Sequence, residues 1–231
     1  MRPLVVLVHG SLSSADEWSG YVDLLPECDV VTVDLPGHGE RETTVFTTRN
    51  AVRVIEDAVA QRVSGQPVVL VGHSLGGYMA SVYAARNPGV LAGLVLIGAT
   101  GDPRSPLAVV YRGYAWLVER VSHEKLGRLR DAVARRLGVP AEKFPDPSAY
   151  AVLPAAWQAV IDDCPPQLLR KVTCPVLILN GQFDQMRINE RRYRSLALDA
   201  RLATVPRATH LAPLTHPDEV SGLLREFVAA L

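Results

Sequence analysis

The chain has 231 residues, a length typical of one domain with a large core. Its 24 basic and 24 acidic side chains cancel to a formal net charge of zero, which argues against nucleic acid or an anionic membrane as a partner. The three cysteines are irregularly spaced and fit neither a disulfide framework nor a zinc motif, so we expect reduced thiols, a cytoplasmic location and no metal ion.

Short apolar runs recur along the chain and predict a parallel sheet. Runs of Val, Leu and Ile without alternation are typical of strands buried on both faces. We predict strands at residues 4–8, 29–33, 67–71, 92–98, 175–180 and 201–205. The first strand begins directly after Met1-Arg2-Pro3, so no signal peptide is expected, and no apolar run approaches the roughly 20 residues of a membrane span. Helices are predicted at 15–25, 48–64, 75–87, 188–198 and 217–230, the last one beginning with a capping box at 215–218.

The first predicted strand runs into a loop that starts at His9. A backbone N–H group in such a loop can stabilise negative charge on a reacting oxygen atom, provided that the loop lies beside a nucleophile. We assign this donor to Ser11, with Leu12 as the alternative, and expect His9 to order the loop. After the second strand, Asp34 is expected to tie a Pro-Gly-rich turn that carries His38.

The clearest chemical motif is Gly72-His73-Ser74-Leu75-Gly76, which lies between the third predicted strand and a helix. This is the G-x-S-x-G nucleophile elbow in the strand–turn–helix context that it requires. The turn projects the Ser74 hydroxyl into open space, and the flanking glycines let neighbouring backbone pass. The Leu75 N–H begins the helix, where unpaired donors and the helix dipole favour negative charge. We predict Ser74 as a nucleophile and the Leu75 N–H as an oxyanion donor, and we interpret His73 as structural.

Residues 101–170 interrupt the alternation of strands and helices. Ser105-Pro106 is predicted to open one helix, Ser122 to cap a second that ends near Gly138, and Pro154 to begin a third. The second helix has a stripe of apolar residues that we expect to face inward: Leu126, Leu129, Val133 and Leu137. We interpret the segment as a helical lid over the carboxyl edge of the sheet, inserted within one domain that spans 1–231.

Some side chains of this lid are expected to line a substrate pocket. The predicted lining residues are Tyr111, Tyr114 and Trp157, together with Leu12 from the first loop. Six arginines are interpreted as solvated helix faces, namely Arg104, Arg112, Arg128, Arg130, Arg135 and Arg136. The alternative is that one or two of them bind a carboxylate or phosphate of the substrate.

Two polar residues follow later strands, at the edge where open α/β sheets place their sites. Asp184 comes after the strand at 175–180, and His210 follows the last strand. With Ser74 they give the chain order Ser, Asp, His, in which His210 acts as the general base and Asp184 fixes its tautomer. Taken singly, Asp184 also fits a helix N-cap. Asp102, which follows the strand at 92–98, is a competing acid.

Four blocks of the sequence together resemble the α/β-hydrolase superfamily. They are VLVHG at 6–10, VDLPGHGE at 33–40, VGHSLGGYMA at 71–80, and CPVLILNGQFD with ATHLAPLTHPDEV at 174–184 and 208–220. The resemblance implies an α/β fold with helices on both faces of a parallel sheet. It also implies a lid inserted after the strand that is the sixth in the family, which corresponds to the fourth predicted strand here. Family members commonly begin with a hairpin that has no room here, so we expect mainly six parallel strands. The spacing of residues 9–18 is similar to esterases and thioesterases that act on acyl-carrier or coenzyme A conjugates, and to the menaquinone-pathway synthase of this fold.

The resemblance and the motifs together predict a serine hydrolase. We expect it to cleave a small-molecule carboxylic ester or thioester through an acyl-Ser74 intermediate, without a cofactor, by a triad of Ser74, Asp184 and His210. Two alternatives stay open. One is a carbon–carbon bond hydrolase or lyase on the same triad, and the other is a ligand receptor derived from a hydrolase, which would keep the triad without turnover.

Overall fold

A six-stranded, wholly parallel sheet forms the centre of the protein. The computed structural model describes residues 1–105, 121–143 and 147–231. The strand order is β2-β1-β3-β4-β5-β6, with β1 at Leu4–Val8, β2 at Asp29–Val33, β3 at Val68–His73, β4 at Gly93–Ile97, β5 at Val176–Gly181 and β6 at Ala200–Val205. Each strand starts and ends within two residues of its predicted bounds. The predicted fold class and the six parallel strands are confirmed.

Helices cover both faces of the sheet. The described α-helices are α1 Tyr21–Leu24, α2 Thr48–Val59, α3 Leu75–Arg86, α4 His123–Arg136, α5 Leu153–Asp163, α6 Glu190–Leu196, α7 Ala212–Thr215 and α8 Pro217–Ala229. Alternate residues of β1 enter two separate apolar clusters because successive side chains of a strand point to opposite faces. Val6 and Val8 pack in the cluster that contains α2 and α3, whereas Val5 and Leu7 pack in the cluster that contains residues of α1 and α8. The core is therefore two apolar layers that sandwich the sheet.

Two short 3₁₀ helices, Ala15–Trp18 and Gln185–Asn189, overlap predicted α-helices. Further described 3₁₀ helices lie at Gly39–Arg41, Ala141–Lys143, Pro147–Val152 and Pro166–Lys171. The predicted helix at 15–25 is wrong, because Gly20 has φ +87° and separates the 3₁₀ turn from α1. The predicted helix at 188–198 is likewise divided into a 3₁₀ turn and α6. The helix predicted at 48–64 ends at Val59.

The capping box predicted at 215–218 does not form. His216 is the N-cap of α8 and makes no side-chain cap bond. The Thr215 hydroxyl donates to the Leu211 carbonyl at 3.0 Å, because Thr215 is the last residue of α7 and lies within reach of the preceding turn.

The expected role of Asp34 is confirmed, since its carboxylate accepts from the N–H groups of Ala15 and Glu40 at 2.7 and 3.0 Å.

Residues 121–143 and 147–170 contain α4 and α5. The Ser122 hydroxyl accepts from the Lys125 N–H at 3.3 Å, and Gly138 with φ +86° follows the end of α4, as predicted. The predicted inner face of α4 is wrong for three of its four residues, because Leu129, Val133 and Leu137 are exposed. The side chains that turn inward are instead four residues apart, Leu126, Arg130 and Ala134, which share one helix face. The interpretation of 101–170 as a lid stays a prediction, and its first helix lies outside the described residues.

The register of the parallel strands places their carboxyl ends at one edge of the sheet. Val8 pairs with both Val33 and Gly72, and His73 pairs with Ile97. The loops that follow β1, β3, β4, β5 and β6 therefore leave the same carboxyl edge of the sheet. In the part of the chain that the structure describes, no helix is long and apolar enough to cross a membrane.

Candidate active site

Ser74 occupies a strained turn between β3 and α3. Its backbone has φ 49° and ψ −116°, a conformation that L-residues rarely adopt, and its N–H donates to the Ile97 carbonyl at 2.8 Å. A Cβ atom at Gly72 would collide with the Gly76 carbonyl, and one at Gly76 would collide with the Val8 carbonyl. Only glycine fits at these two positions, which is why the chain can turn this sharply.

His210 connects Ser74 to Asp184. Its Nε2 lies 3.0 Å from Ser74 Oγ, and its Nδ1 lies 3.0 Å from Asp184 Oδ1. With an ionised Asp184, Nδ1 carries the proton and Nε2 accepts from the Ser74 hydroxyl. The structure therefore brings together the three residues that the sequence singled out, in the order of contact that a nucleophile, a base and an orienting acid require.

Asp184 is buried and ionised. Burial opposes its negative charge, but the hydrogen bond from His210, together with the Met186 N–H at 2.7 Å, outweighs burial and holds the pKa of Asp184 below its usual value. The same oxygen, Oδ1, accepts from both groups. Asp184 is thus the N-cap of the 3₁₀ turn at 185–189 and also the partner of His210, so both interpretations of this residue describe it.

Gly98 closes the space behind the acid and the base. It follows β4 with φ +57°, and a Cβ atom there would lie 2.9 Å from Asp184 Oδ2 and 2.9 Å from the Nδ1 and Cε1 atoms of His210. Real Cβ atoms are essentially never found so close to other heavy atoms. The Gly98 backbone therefore lies against the imidazole ring on the side of the sheet.

The competing acid, Asp102, makes other contacts. Its Oδ1 accepts from the Arg104 N–H at 3.0 Å, and its Oδ2 forms an ion pair with Arg192. Its own N–H donates to the Asn189 side chain at 2.9 Å. The structure therefore places Asp184, and not Asp102, against His210.

His9 orders the loop that carries Ser11. Its Nε2 accepts from the Leu35 N–H at 2.9 Å, so its Nδ1 carries the proton and donates to the Gly10 carbonyl at 2.7 Å. Because the next peptide is trans, the Ser11 N–H points away from that carbonyl and from His9. Ser11 and Leu75, the two predicted oxyanion donors, border the same cavity as Ser74. Leu12 also borders it and has φ 55°.

A buried pair, Glu17 and His73, was not predicted from the sequence. Glu17 Oε1 lies 2.7 Å from His73 Nδ1, and Glu17 Oε2 accepts from the Gly10 N–H at 3.0 Å. His73 Nε2 lies 2.9 Å from the His210 carbonyl oxygen. The only signal in the sequence is a glutamate directly before a core tryptophan, Trp18, in the segment that follows β1.

A cavity of about 690 Å³ opens above Ser74 and His210. Much of the described lining is apolar and comes from the loop after β1, the start of α3, α4 and the residue Val139 after it, α5, and the segments that follow β5 and β6. These apolar residues are Leu12, Leu75, Ala134, Val139, Trp157, Val160, Ile161, Met186, Ile188, Leu211 and Leu214. Such a cavity suits a small ligand that is mainly hydrocarbon.

The predicted pocket residues fall into two groups. Leu12 and Trp157 border the cavity, whereas Tyr111 and Tyr114 lie outside the described residues.

Of the arginines named above, Arg130 borders the cavity and also pairs with Asp131, while Arg128, Arg135 and Arg136 are exposed. Arg104 donates to the carbonyls of Ile161 and Asp162, and Arg112 lies outside the described residues. Within the described ranges, no group of three or more His, Cys, Asp and Glu side chains is arranged to hold a metal ion.

Comparisons with known proteins agree with this architecture. A family model described as "Alpha/beta hydrolase family" matches residues 5–223. The chain is 26% identical over 245 residues to a 2-succinyl-6-hydroxy-2,4-cyclohexadiene-1-carboxylate synthase of Serratia proteamaculans, covering 98% of this chain and 93% of that protein. It is 29% identical over 249 residues to a pimeloyl-(acyl-carrier protein) methyl ester esterase of Methylococcus capsulatus, covering 99% and 95%.

Solved structures show the same fold. A thermophilic esterase from Thermogutta terrifontis superposes with a TM-score of 0.79 at 24% identity, over 99% of this chain and 90% of that one. MenH from S. aureus superposes with a TM-score of 0.77 at 18% identity, over 100% and 94%. The likeness therefore extends over the whole sheet and the elements that surround it.

Proposed function

Since this chain belongs to the alpha/beta hydrolase family, we propose that it is a serine hydrolase that cleaves a carboxylic ester or thioester through an acyl-Ser74 intermediate. The observation that carries the proposal is the position of the His210 ring, 3.0 Å from Ser74 Oγ on one side and 3.0 Å from Asp184 on the other. Ser74 is held at the end of a strained turn on the floor of an apolar cavity. This is the arrangement in which a serine hydroxyl becomes a nucleophile near neutral pH.

In the first half of the reaction, His210 Nε2 takes the proton of Ser74 as Oγ attacks the acyl carbon. The Ser11 and Leu75 N–H groups are the proposed donors to the oxyanion, and Leu75 adds the dipole of the α3 N-terminus. Asp184 holds the proton of Nδ1 and stabilises the imidazolium. The tetrahedral adduct collapses when His210 gives its proton to the leaving alkoxide or thiolate, which departs as an alcohol or thiol.

In the second half, His210 Nε2 takes a proton from a water molecule that attacks the acyl carbon. The second tetrahedral adduct then expels Ser74 Oγ, which regains its proton from His210, and the product acid departs. Every proton that His210 takes is returned, so the cycle needs no cofactor.

The cavity supports a substrate with an apolar acyl or leaving group. One of the relatives named above is named as a methyl ester esterase, and the other as the synthase of a carboxylate. We propose a small-molecule ester or thioester as the substrate of this chain. The three cysteines are buried and unpaired, which supports the proposed cytoplasmic location.

The proposal is tested by turnover and by labelling. We expect hydrolysis of p-nitrophenyl esters of graded chain length or of acyl-thioesters, and a fluorophosphonate adduct on the peptide that contains Ser74, found by mass spectrometry. Pretreatment with the fluorophosphonate should abolish turnover in proportion to labelling. Failure of every ester and thioester, with an unlabelled Ser74, would refute the proposal.

A second candidate is a lyase in which His210 and Ser74 together abstract a proton from carbon. The observation that favours it is the relative named as a synthase, which matches 98% of this chain. The two candidates differ in one result. A lyase would be labelled at Ser74 by the fluorophosphonate and yet would turn over none of the esters.

We predict that Trp157→Ala changes the chain-length preference. Trp157 borders the cavity from α5, so a long acyl chain loses apolar contact when the indole is removed, whereas an acetyl group loses little. Each CH₂ that loses its burial costs about 0.8 kcal/mol, or roughly fourfold in kcat/KM. The measurement is kcat/KM for acyl chains of increasing length.

The matched control for this prediction is Leu129→Ala, which removes an exposed apolar side chain from α4 outside the cavity lining. It should leave the preference unchanged. A uniform loss across all chain lengths in Trp157→Ala would mean that the indole supports the fold around the cavity without contacting the acyl group.

A further inference from the structure

Glu17 and His73 form a buried acid–base pair directly beside the proposed catalytic histidine. Their side chains are 1% and 4% exposed, and the His73 ring centroid lies 4.9 Å from that of His210. Neither residue has a role in the mechanism derived above. A buried charged pair in this position is costly unless it is fully hydrogen-bonded, so its contacts need an explanation.

The contacts of His73 define its protonation. Nε2 faces the His210 carbonyl, which can only accept a hydrogen bond, so Nε2 carries a proton. Nδ1 faces a Glu17 carboxylate that already accepts from Gly10, and it carries the second proton. Burial works against this charge, but Glu17 outweighs burial and raises the pKa of His73, and His73 likewise lowers the pKa of Glu17 against the effect of burial. His9, which faces one donor and one acceptor, is neutral by the same reasoning.

The pair joins three segments that the proposed reaction needs. Glu17 holds the Gly10 N–H and with it the loop that carries Ser11. His73 precedes Ser74 in the elbow and holds the carbonyl of His210. One chain of hydrogen bonds therefore connects the loop after β1, the elbow and the loop after β6.

We propose that Glu17 and His73 are positioning residues, which hold the Ser11 loop and His210 against Ser74 and keep the net charge beside His210 at zero. The inference rests on the proposed function, because it concerns the same Ser74–His210 chemistry. Because the cation and the anion beside His210 cancel, the pair neither adds to nor opposes the positive charge that the proposed mechanism places on the His210 ring.

The charge balance matters because His210 becomes a cation when it takes the proton of Ser74. A lone positive charge on His73 would oppose that step, whereas a lone negative charge on Glu17 would hold the proton on His210 and keep it from acting as a base. Among the described residues, the other ionisable groups around the pair and His210 are His9 just after β1, Tyr21 from α1, Asp184 after β5 and Lys143, whose Nζ lies 3.5 Å from the Glu17 carbonyl oxygen.

The test compares pH profiles of kcat and KM for wild type, His73→Leu, Glu17→Leu and the double variant. In His73→Leu the Glu17 carboxylate loses its cation and keeps the Gly10 N–H, so at pH values where Glu17 stays ionised we expect the acid limb of kcat/KM to lie at higher pH than in the wild type. The double variant should bring the limb back toward its wild-type position. Glu17→Leu should lower kcat by about ten- to a hundredfold with little change in KM, because the Ser11 loop loses its anchor.

Two milder variants guard against loss of folding, which circular dichroism would report. His73→Gln can still donate to the His210 carbonyl and should show the same shift of the acid limb with a smaller loss of kcat. Glu17→Gln can still accept from the Gly10 N–H and should retain more of kcat than Glu17→Leu. Asp16→Asn is the matched control, since it removes an exposed carboxylate from the same 3₁₀ turn.

An acid limb that stays at the same pH in both His73 variants would overturn the inference, as would a kcat that is unchanged in Glu17→Leu. An equal loss of kcat in all variants without any shift would likewise reduce the pair to core packing. These results leave the proposed function standing, since wild-type turnover and labelling of Ser74 are measured separately. A wild type without either activity would refute the proposed function and this inference together.

Discussion

Replacement of Ser74 by alanine is expected to lower ester turnover by on the order of 10⁴-fold or more. The variant keeps the Cβ atom and loses only Oγ, the atom that lies 3.0 Å from His210 Nε2 and attacks the acyl carbon in the proposed mechanism. Labelling by a fluorophosphonate should disappear at the same time. The measurement is kcat with the best p-nitrophenyl ester, alongside mass spectrometry of the treated protein.

Ser81→Ala is the matched control for this prediction. Ser81 is a buried serine on α3, seven residues after Ser74, and its hydroxyl donates to the Gly77 carbonyl at 2.9 Å within the helix. We expect it to retain turnover and labelling. If Ser74→Ala kept substantial ester turnover, an acyl-Ser74 intermediate would be excluded, and direct attack on the ester by a water molecule that His210 deprotonates would become the better proposal.

Asp184→Asn is expected to lower kcat by about 10⁴-fold. The same atom, Oδ1, accepts from the Met186 N–H and from His210 Nδ1, so an asparagine oxygen in that place keeps the cap of the 3₁₀ turn. The neutral amide lacks the negative charge that holds the proton on Nδ1 and stabilises the imidazolium, so His210 is impaired as a base. The variant therefore folds with an impaired base, and kcat is the quantity to measure.

Asp102→Asn provides the comparison, because it changes the competing acid in the same way. Asp102 pairs with Arg192, so the exchange weakens an ion pair and leaves the contact between Asp184 and His210 in place. We expect little loss of kcat. If the two variants exchanged their effects, the acid would be assigned wrongly, while the pairing of Ser74 with His210 would be untouched.

Much of the fold follows from local patterns in the sequence. Buried strands such as 4–8 appear as unbroken Val and Leu runs, and the elbow around Ser74 has a strand before it and a helix after it. Because the carboxyl ends of parallel strands meet at one edge, the positions of Asp184 and His210 after their strands were enough to predict that both lie near Ser74. The local signal and the long-range geometry agree at these residues.

The remaining features depend on contacts that no local pattern encodes. Glu17 and His73 are 56 residues apart and meet only because β1 and β3 are neighbours in the sheet. The apolar stripe predicted for α4 is wrong. Leu129 and Val133 have the spacing of one helix face, but the face that borders the cavity is a different one and includes a charged residue, Arg130. A single glycine, Gly20, was enough to divide a predicted helix.

The Gly98 backbone, which lies against the His210 ring, restricts how the base can move. The ring has the Gly98 backbone on one side and is held by Asp184 at Nδ1, so the room that a side chain at position 98 would fill is not open to it without a collision. Any residue larger than glycine at position 98 would therefore displace the base or the acid. Part of the precision at the base is thus built into the main chain at the end of a strand, where no change of a cavity-lining side chain removes it.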